Sequence, residues 1–154
     1  MAIVDFDVHH GNGTQQIFWS DPTVIYASTH QMPFYPGTGA VSERGEHDTI
    51  VNAPLPEGAS SKAFREAMES RILPRVDSFA PDLIVISAGF DGHRFDPIGG
   101  LHLEVADFTW ITNQLMEIAQ RRANNRIVSI LEGGYDLVAL ARCVSAHVQT
   151  LMGA

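Results

Sequence analysis

Apolar residues gather along the chain in five short runs, and each run is followed by a polar or glycine-rich break. Ala2 to Val4 reads as a short buried strand, Thr23 to Ser28 as a β-branched one, and Asp48 to Ala53 as a third, ended by Pro54 and Pro56. Pro81 to Ser87 is apolar on both faces, as a central parallel strand should be, and Arg126 to Leu131 is the fifth. Between these runs the apolar period lengthens to that of a helix. Thr14 to Trp19 reads as a short helix capped by Thr14 and ended by Pro22, and Ser60 to Val76 sets Phe64, Met68, Ile72 and Val76 on one face. Leu103 to Arg122 carries Asp107 near its start and Arg121 and Arg122 at its end, where the helix dipole favours each sign, and Leu137 to Met152 closes the chain. Met32 to Gly45, with two prolines and three glycines, is a long ordered loop of the kind that walls a binding site.

Strands alternating with helices predict an α/β fold, a mostly parallel sheet flanked by helices. In such sheets ligands bind beyond the carboxyl ends of the strands. The first, second, fourth and fifth strands each run into a residue with chemistry: Asp7 and His9, then His30 in a polar loop, then Asp91, then Tyr135.

Composition narrows the function classes. A chain of 154 residues with 45% apolar and 18% charged residues is one ordinary globular domain, with no repeat, low-complexity tract or linker. A net charge of -8 argues against a nucleic-acid partner and against an anionic membrane, and leaves room for a cationic substrate. The single Cys143 rules out an internal disulfide and a thiolate metal site. Nothing resembles a signal peptide or a spanning segment, so a cytoplasmic location is the default expectation.

Asp5, Asp7 and His9 point the same way if the extended geometry of the first strand persists. Carboxylates crowded with an imidazole are costly unless a cation sits among them, and this donor set suits Zn²⁺ or a similar divalent ion. A polar strand-to-helix loop, with Asp5 capping amides and a solvated histidine pair, would look the same over these residues alone. Asp7, His9 and Asp91 together make a three-ligand open site, which leaves room for water and substrate. Tyr135, on a Gly133-Gly134 turn, is suited to donate a hydrogen bond to a developing oxyanion, although a tyrosine covering the core would occupy the same place in the sequence.

Four stretches then carry a resemblance: DFDVHHGNGTQ, STHQMPFYPGTG, SAGFDGHRFDP and LEGGYDLVALARC. In this order they resemble the zinc-dependent histone deacetylase superfamily, and more narrowly its bacterial class II members, the histone deacetylase-like and acetylpolyamine amidohydrolases. The resemblance covers essentially all 154 residues. It implies an arginase/deacetylase-like fold and hydrolysis of acetyl or other acyl groups from acetyl-lysine or acetylpolyamine substrates. It also implies one Zn²⁺ per chain on Asp7, His9 and Asp91, with Tyr135 polarising the acyl carbonyl. A potassium ion is implied at Asp5, Asp7 and His9 with backbone oxygens near Ser28 and Thr29, and a second at backbone around Phe18, Asp21 and Val24. Tyr35 falls at the wall of the substrate tunnel, with Ile98 and Gly133 in its neighbourhood, and His10 matches a structural position. Gly11 and His93 stand where the extra carboxylates of the related two-manganese arginases are expected, which favours a single-metal deacetylase over a ureohydrolase.

The family also has a Gly-His-His segment, upstream of the first stretch, that serves as general base and its partner. A chain that starts at Met1 lacks it, together with the N-terminal strands, and is expected to be the carboxyl-terminal part of a catalytic domain, spanning 1–154. Without that base, turnover is expected to be weak or absent, because acid–base help contributes roughly 10²- to 10⁴-fold. The alternative is a non-catalytic metal-binding fragment or one subunit of a split deacetylase. With its outer neighbours missing, the strand from Ala2 to Asp7 is expected at an exposed edge, where a second copy or a partner chain would pair.

Overall fold

The strand Ala2–Asp5 (β1) is buried at all four positions because it has a parallel neighbour on either side. The computed structural model describes residues 1–153. In it Ile25–Gln31 (β2), Ile50–Leu55 (β3), Ile84–Ala88 (β4) and Ile127–Leu131 (β5) join β1 in one sheet of order β3-β2-β1-β4-β5. Every pairing is parallel; Ala2 sits opposite Ile25 and Ile84, and Asp5 opposite Ser28 and Ser87. The expectation that Ala2 to Asp7 forms the free edge is therefore wrong. β1 is the centre of the sheet, and the edges are β3 and β5.

Alternation along the strands sorts the core into two layers. Ala2, Val4, Ile25, Ala27, Ile84 and Ile86 face the large cluster, which Phe64, Met68, Ile72 and Val76 close together with Phe108, Ile111 and Leu115. Those residues come from Ser61–Ala67 (α2), a π-helical turn at Met68–Ile72, Leu73–Phe79 (α3) and Val105–Arg122 (α4). The opposite face carries Ile3, Val24, Tyr26 and Ile50, covered by Phe18 and Trp19 just after the short helix Asn12–Ile17 (α1). On β5 the two faces part company. Ser129 meets His147 of Leu137–Leu151 (α5), whereas Val128 and Ile130 on the other face are 49% and 52% exposed, and Leu131 at the strand's end is 58% exposed.

Several local differences from the sequence reading have plain causes. The single helix expected over Ser60 to Val76 widens at Met68–Ile72, because Pro74 has no N–H to give to the carbonyl four residues back. α4 starts at Val105 rather than Leu103, since the Asp107 carboxylate accepts the Glu104 N–H at 2.9 Å and fixes the first turn there. α1 begins at Asn12 without a side-chain cap, so Thr14 lies inside it. β2 runs on through His30, which is therefore a strand residue and not part of a loop.

Phe6, between Asp5 and Asp7, is 2% exposed and packs edge-on to Phe90 and tilted against Phe108, with ring centroids 6.0 and 5.9 Å away. It anchors the end of β1 to the large cluster. Phe6→Ala is expected to cost about 3–5 kcal/mol of stability, read as a lowered midpoint in urea unfolding.

Candidate metal centre

The order β1-β4-β5 makes the carboxyl ends of these three strands neighbours, and the backbone laces their exits together. Phe6 N–H donates to Ser87 O at 3.3 Å, Glu132 N–H to Ala88 O at 3.0 Å, and Phe90 N–H to Gly133 O at 2.7 Å. Side chains that follow each strand are thereby forced to one spot. Asp7 and His9 come from the bend after β1, Asp91 from the turn after β4, and Gly133 and Tyr135 from the turn after β5.

One ligand atom from each of Asp7, His9 and Asp91 lies within 4.8 Å of the others. His9 Nδ1 is 3.0 Å from Asp7 Oδ1 and 3.2 Å from Asp91 Oδ2. Backbone amides hold the carboxylates in place: Val8 N–H donates to Asp91 Oδ1, His9 N–H to Asp7 Oδ1 and Gly133 N–H to Asp7 Oδ2, each at 2.8 Å. Asp91 Oδ2 is the exception. It is buried and has no hydrogen-bond partner. Burial, and then the Asp7 charge, pushes the Asp91 carboxyl up to about 7. A buried acceptor that faces a second carboxylate and an imidazole fits a divalent cation, which would complete its coordination and remove the repulsion. The glycines fit the same reading, since a Cβ on Gly133 would run into both carboxylates and one on Gly89 into Asp7.

Asp7 and His9, with Asp5, Tyr135, Gly133, Glu132 and Leu131, line an open pocket of about 400 Å³, and the fully buried Asp91 lies behind them. The Tyr135 ring is half exposed; partial burial, then Asp91 and Asp7, raise its hydroxyl above the ordinary value. That hydroxyl therefore keeps its proton and can donate a hydrogen bond. Phe34 stacks on the His9 ring at 5.2 Å, and Tyr35 stands edge-on to it at 6.4 Å while remaining 77% exposed. Ile98 is outside the pocket lining and is 46% exposed.

Asp5 separates from the other two residues of its stretch. β1 stops at Asp5, so the alternation expected to align it with Asp7 and His9 ends there. Its carboxylate accepts from Tyr26 Oη at 2.9 Å and from Asp7 N–H at 3.1 Å, and burial raises it to about 8. Ser28 lies opposite Asp5 in the register, and its hydroxyl bonds His30 Nδ1 at 2.9 Å, with Thr29 buried beside it. Around the other expected potassium site, Asp21 N–H donates to Phe18 O at 3.2 Å, and Val24 packs in the smaller core layer.

His30 does not reach the pocket. It is fully buried, bonded to Gly39 O at 3.0 Å and tilted against the His10 ring at 4.7 Å, and burial followed by His10 lowers it to about 4. His93 is also turned inward, accepting the Phe95 N–H on Nδ1 at 3.2 Å. Two contributors were invisible as such in the sequence. Phe34 reads as one more loop aromatic, and Asp96 had only its place before Pro97 to mark it.

The architecture defines a class: an open parallel α/β domain with a mixed carboxylate and imidazole cluster at adjacent strand ends. The chain belongs to the histone deacetylase domain family, whose model matches residues 1–151. It is 40% identical over 156 residues to "Histone deacetylase 10, chloroplastic" of Oryza sativa subsp. japonica, which covers 99% of this chain and 35% of that protein. It is 43% identical over 141 residues to a "Probable deacetylase" of Archaeoglobus fulgidus, covering 89% of this chain and 39% of that protein. Among solved structures, the crystal structure of the HDA15 HD domain superposes with a TM-score of 0.92 at 38% identity, over 99% of this chain and 44% of that one. The chain thus spans less than half the length of each. Among the described residues, no helix is long and apolar enough to cross a membrane.

Because the Asp91 carboxyl holds a proton until about 7, an ion must displace that proton below neutrality. Zinc affinity is expected to fall roughly tenfold per pH unit on acidification from pH 7 to pH 5 and to level off above pH 8. Calorimetric titrations in two buffers of different ionisation heat should show proton release on zinc uptake near pH 6 and little at pH 8.5.

Proposed function

We propose that this chain is the metal-bearing part, residues 1–154, of a deacetylase-type amide hydrolase that acts on acetylated or acylated amines such as acetyl-lysine or acetylpolyamines. The observation that carries the reading is the orphaned, buried Asp91 Oδ2, which is clustered with Asp7 and His9, and those two line a pocket together with Tyr135. Asp7, His9 and Asp91 would hold the cation, with zinc proposed for a carboxylate and imidazole set of this size. When bound, such an ion supplies Lewis acidity toward an acyl oxygen.

The chain's own residues do the rest. Tyr135 donates a hydrogen bond to the acyl oxygen, the group on which negative charge grows during attack. Gly133, without a side chain, leaves the carboxylates open to substrate. Phe34 fixes the His9 ring by stacking, and the exposed Tyr35 beside it offers an aromatic wall to an acyl-lysine stem. Potassium is proposed next to Asp5, where a monovalent cation would offset a second buried carboxyl, with backbone oxygens of Ser28 and Thr29. A second potassium is proposed on backbone at Phe18, Asp21 and Val24.

The residues in hand supply no evident general base. His10, the other histidine in the pocket lining, has both ring nitrogens engaged, Nδ1 with Thr38 Oγ1 at 2.7 Å and Nε2 with Gln15 Oε1 at 3.0 Å. Burial also lowers its basicity. Weak turnover by these residues alone is therefore proposed, along with a second reading in which the chain works as one piece of a larger assembly. The open edge of β5, with Val128 and Ile130 exposed on the uncovered face, favours that second reading. Its proposed occupant is polypeptide equivalent to the part of the longer relatives that these residues do not span.

The purified chain in excess zinc is expected to retain one equivalent per chain after desalting and to bind a hydroxamate only when loaded. Asp91→Ala should abolish both, measured by elemental analysis and calorimetry, and a wild-type chain that retains no zinc overturns the reading. Acetyl-lysine reporter hydrolysis by the loaded chain should run at least about a hundredfold below that of a longer relative. Ile130→Lys is expected to reduce association of the chain, followed by sedimentation, while leaving zinc uptake unchanged.

A further inference from the structure

Asp96 has no place in the ion-binding triad, yet four backbone amides converge on its carboxylate. Oδ1 accepts from Ile98 N–H at 2.9 Å and from Gly99 N–H at 3.2 Å. Oδ2 accepts from Tyr135 N–H at 2.7 Å and, more weakly, from Asp136 N–H at 3.4 Å. The first pair closes a local turn of the kind aspartate makes two and three residues ahead of itself. The second pair reaches 39 and 40 residues along the chain, into the turn after β5. One side chain thus ties the loop that carries Asp91 to the turn that carries the Tyr135 hydroxyl.

The tie matters because little else holds that ring. Tyr135 is half exposed, so packing fixes it poorly and its direction is set by its backbone. Gly134 precedes it at φ +146°, a conformation that side chains rarely adopt, and a Cβ there would meet Leu140 Cδ1 at 2.7 Å. Asp136 follows it as the cap of α5, accepting the Ala139 N–H at 2.7 Å. Between a glycine in a conformation that side chains rarely adopt and a helix cap, the Asp96 bond to the Tyr135 amide fixes the backbone from which the ring projects. Asp96 is 9% exposed, so its bonds to the two segments are sheltered from competing water.

We infer that Asp96 is the positioning residue for Tyr135, aiming its hydroxyl into the Asp7–His9–Asp91 pocket and locking that aim to the loop at Ile98 and Gly99. The inference rests on the proposed role of Tyr135, and it deepens that role by naming what makes the donor directional.

The test uses the whole chain with 3-fluorotyrosine in place of tyrosine. The sequence has only Tyr26, Tyr35 and Tyr135, so three fluorine signals report them separately, with the fully buried Tyr26 as a check on the fold. In Asp96→Asn, the Tyr135 signal is expected to move to the position of a solvent-exposed tyrosine while Tyr26 stays. Asp96→Ser, whose hydroxyl can still accept from the local Ile98 and Gly99 amides but cannot span to the β5 turn, should give the same shift and guards against a misfolded Asn variant. In zinc-loaded protein, Asp96→Asn should bind zinc as tightly as the parent and benzohydroxamate about tenfold more weakly. Tyr135→Phe should lose a similar factor, and the double variant should be no worse than either single one. An unmoved Tyr135 signal in both Asp96 variants, or losses that multiply in the double variant, overturns the inference. The fluorine readout needs no zinc, so a chain that takes up no metal removes the functional reading while this test still decides the role of Asp96.

Discussion

Two carboxylates and an imidazole are forced together where water has largely been removed, and most of what is specific about this chain follows from that. Like charges in a poorly solvated place repel strongly, and a fold keeps them only if something neutral or positive stands between them. Here backbone amides from Val8, His9 and Gly133 take up three of the four carboxylate oxygens of Asp7 and Asp91. The fourth is left bare. An oxygen left without a hydrogen bond in so buried a place is the one feature of the cluster that the chain's own amides do not account for.

The sheet makes this crowding possible. In a parallel sheet all the carboxyl ends lie on one side, and with β1 in the centre its exit loop has neighbours from both halves. Besides the local His9 amide on Asp7, each carboxylate is fixed by the exit of another strand distant in sequence: Val8 on Asp91, Gly133 on Asp7. The aromatic packing of Phe6 against Phe90 and Phe108 supports the same exits from below. Binding geometry and core packing are therefore one construction, because the residues on either side of Phe6 are Asp5 and Asp7.

The triad was legible in the sequence because its residues follow directly on apolar runs, and a strand's end is where chemistry accumulates. Asp7, His9, Asp91 and Tyr135 needed no long-range information to be singled out. The position of β1 did need it. Short parallel strands carry the same apolar signature at an edge or in the centre, so the run Ala2 to Asp5 could not disclose that it lies between β2 and β4. His30 was misjudged for a related reason. A polar residue after an apolar run reads as loop, but its two ring nitrogens are satisfied by Ser28 and Gly39, which lets β2 continue through it. Asp96 was beyond reach because its meaning lies in amides 39 and 40 residues away.

The two faces of the sheet are unequally covered, and the ion pocket lies on the poorer side. The helices α2 to α5, with the π-helical turn, close the large core layer, whereas α1 and the residues after it shelter only the β1–β2–β3 part of the other face. Val128 and Ile130 continue that bare face toward the strand's end, where the exposed Leu131 is part of the pocket lining. Attraction between a cation and its carboxylates strengthens as water is excluded from around them. Polypeptide laid over β5 would exclude that water, so the hold on the ion and the covering of the apolar face are physically linked.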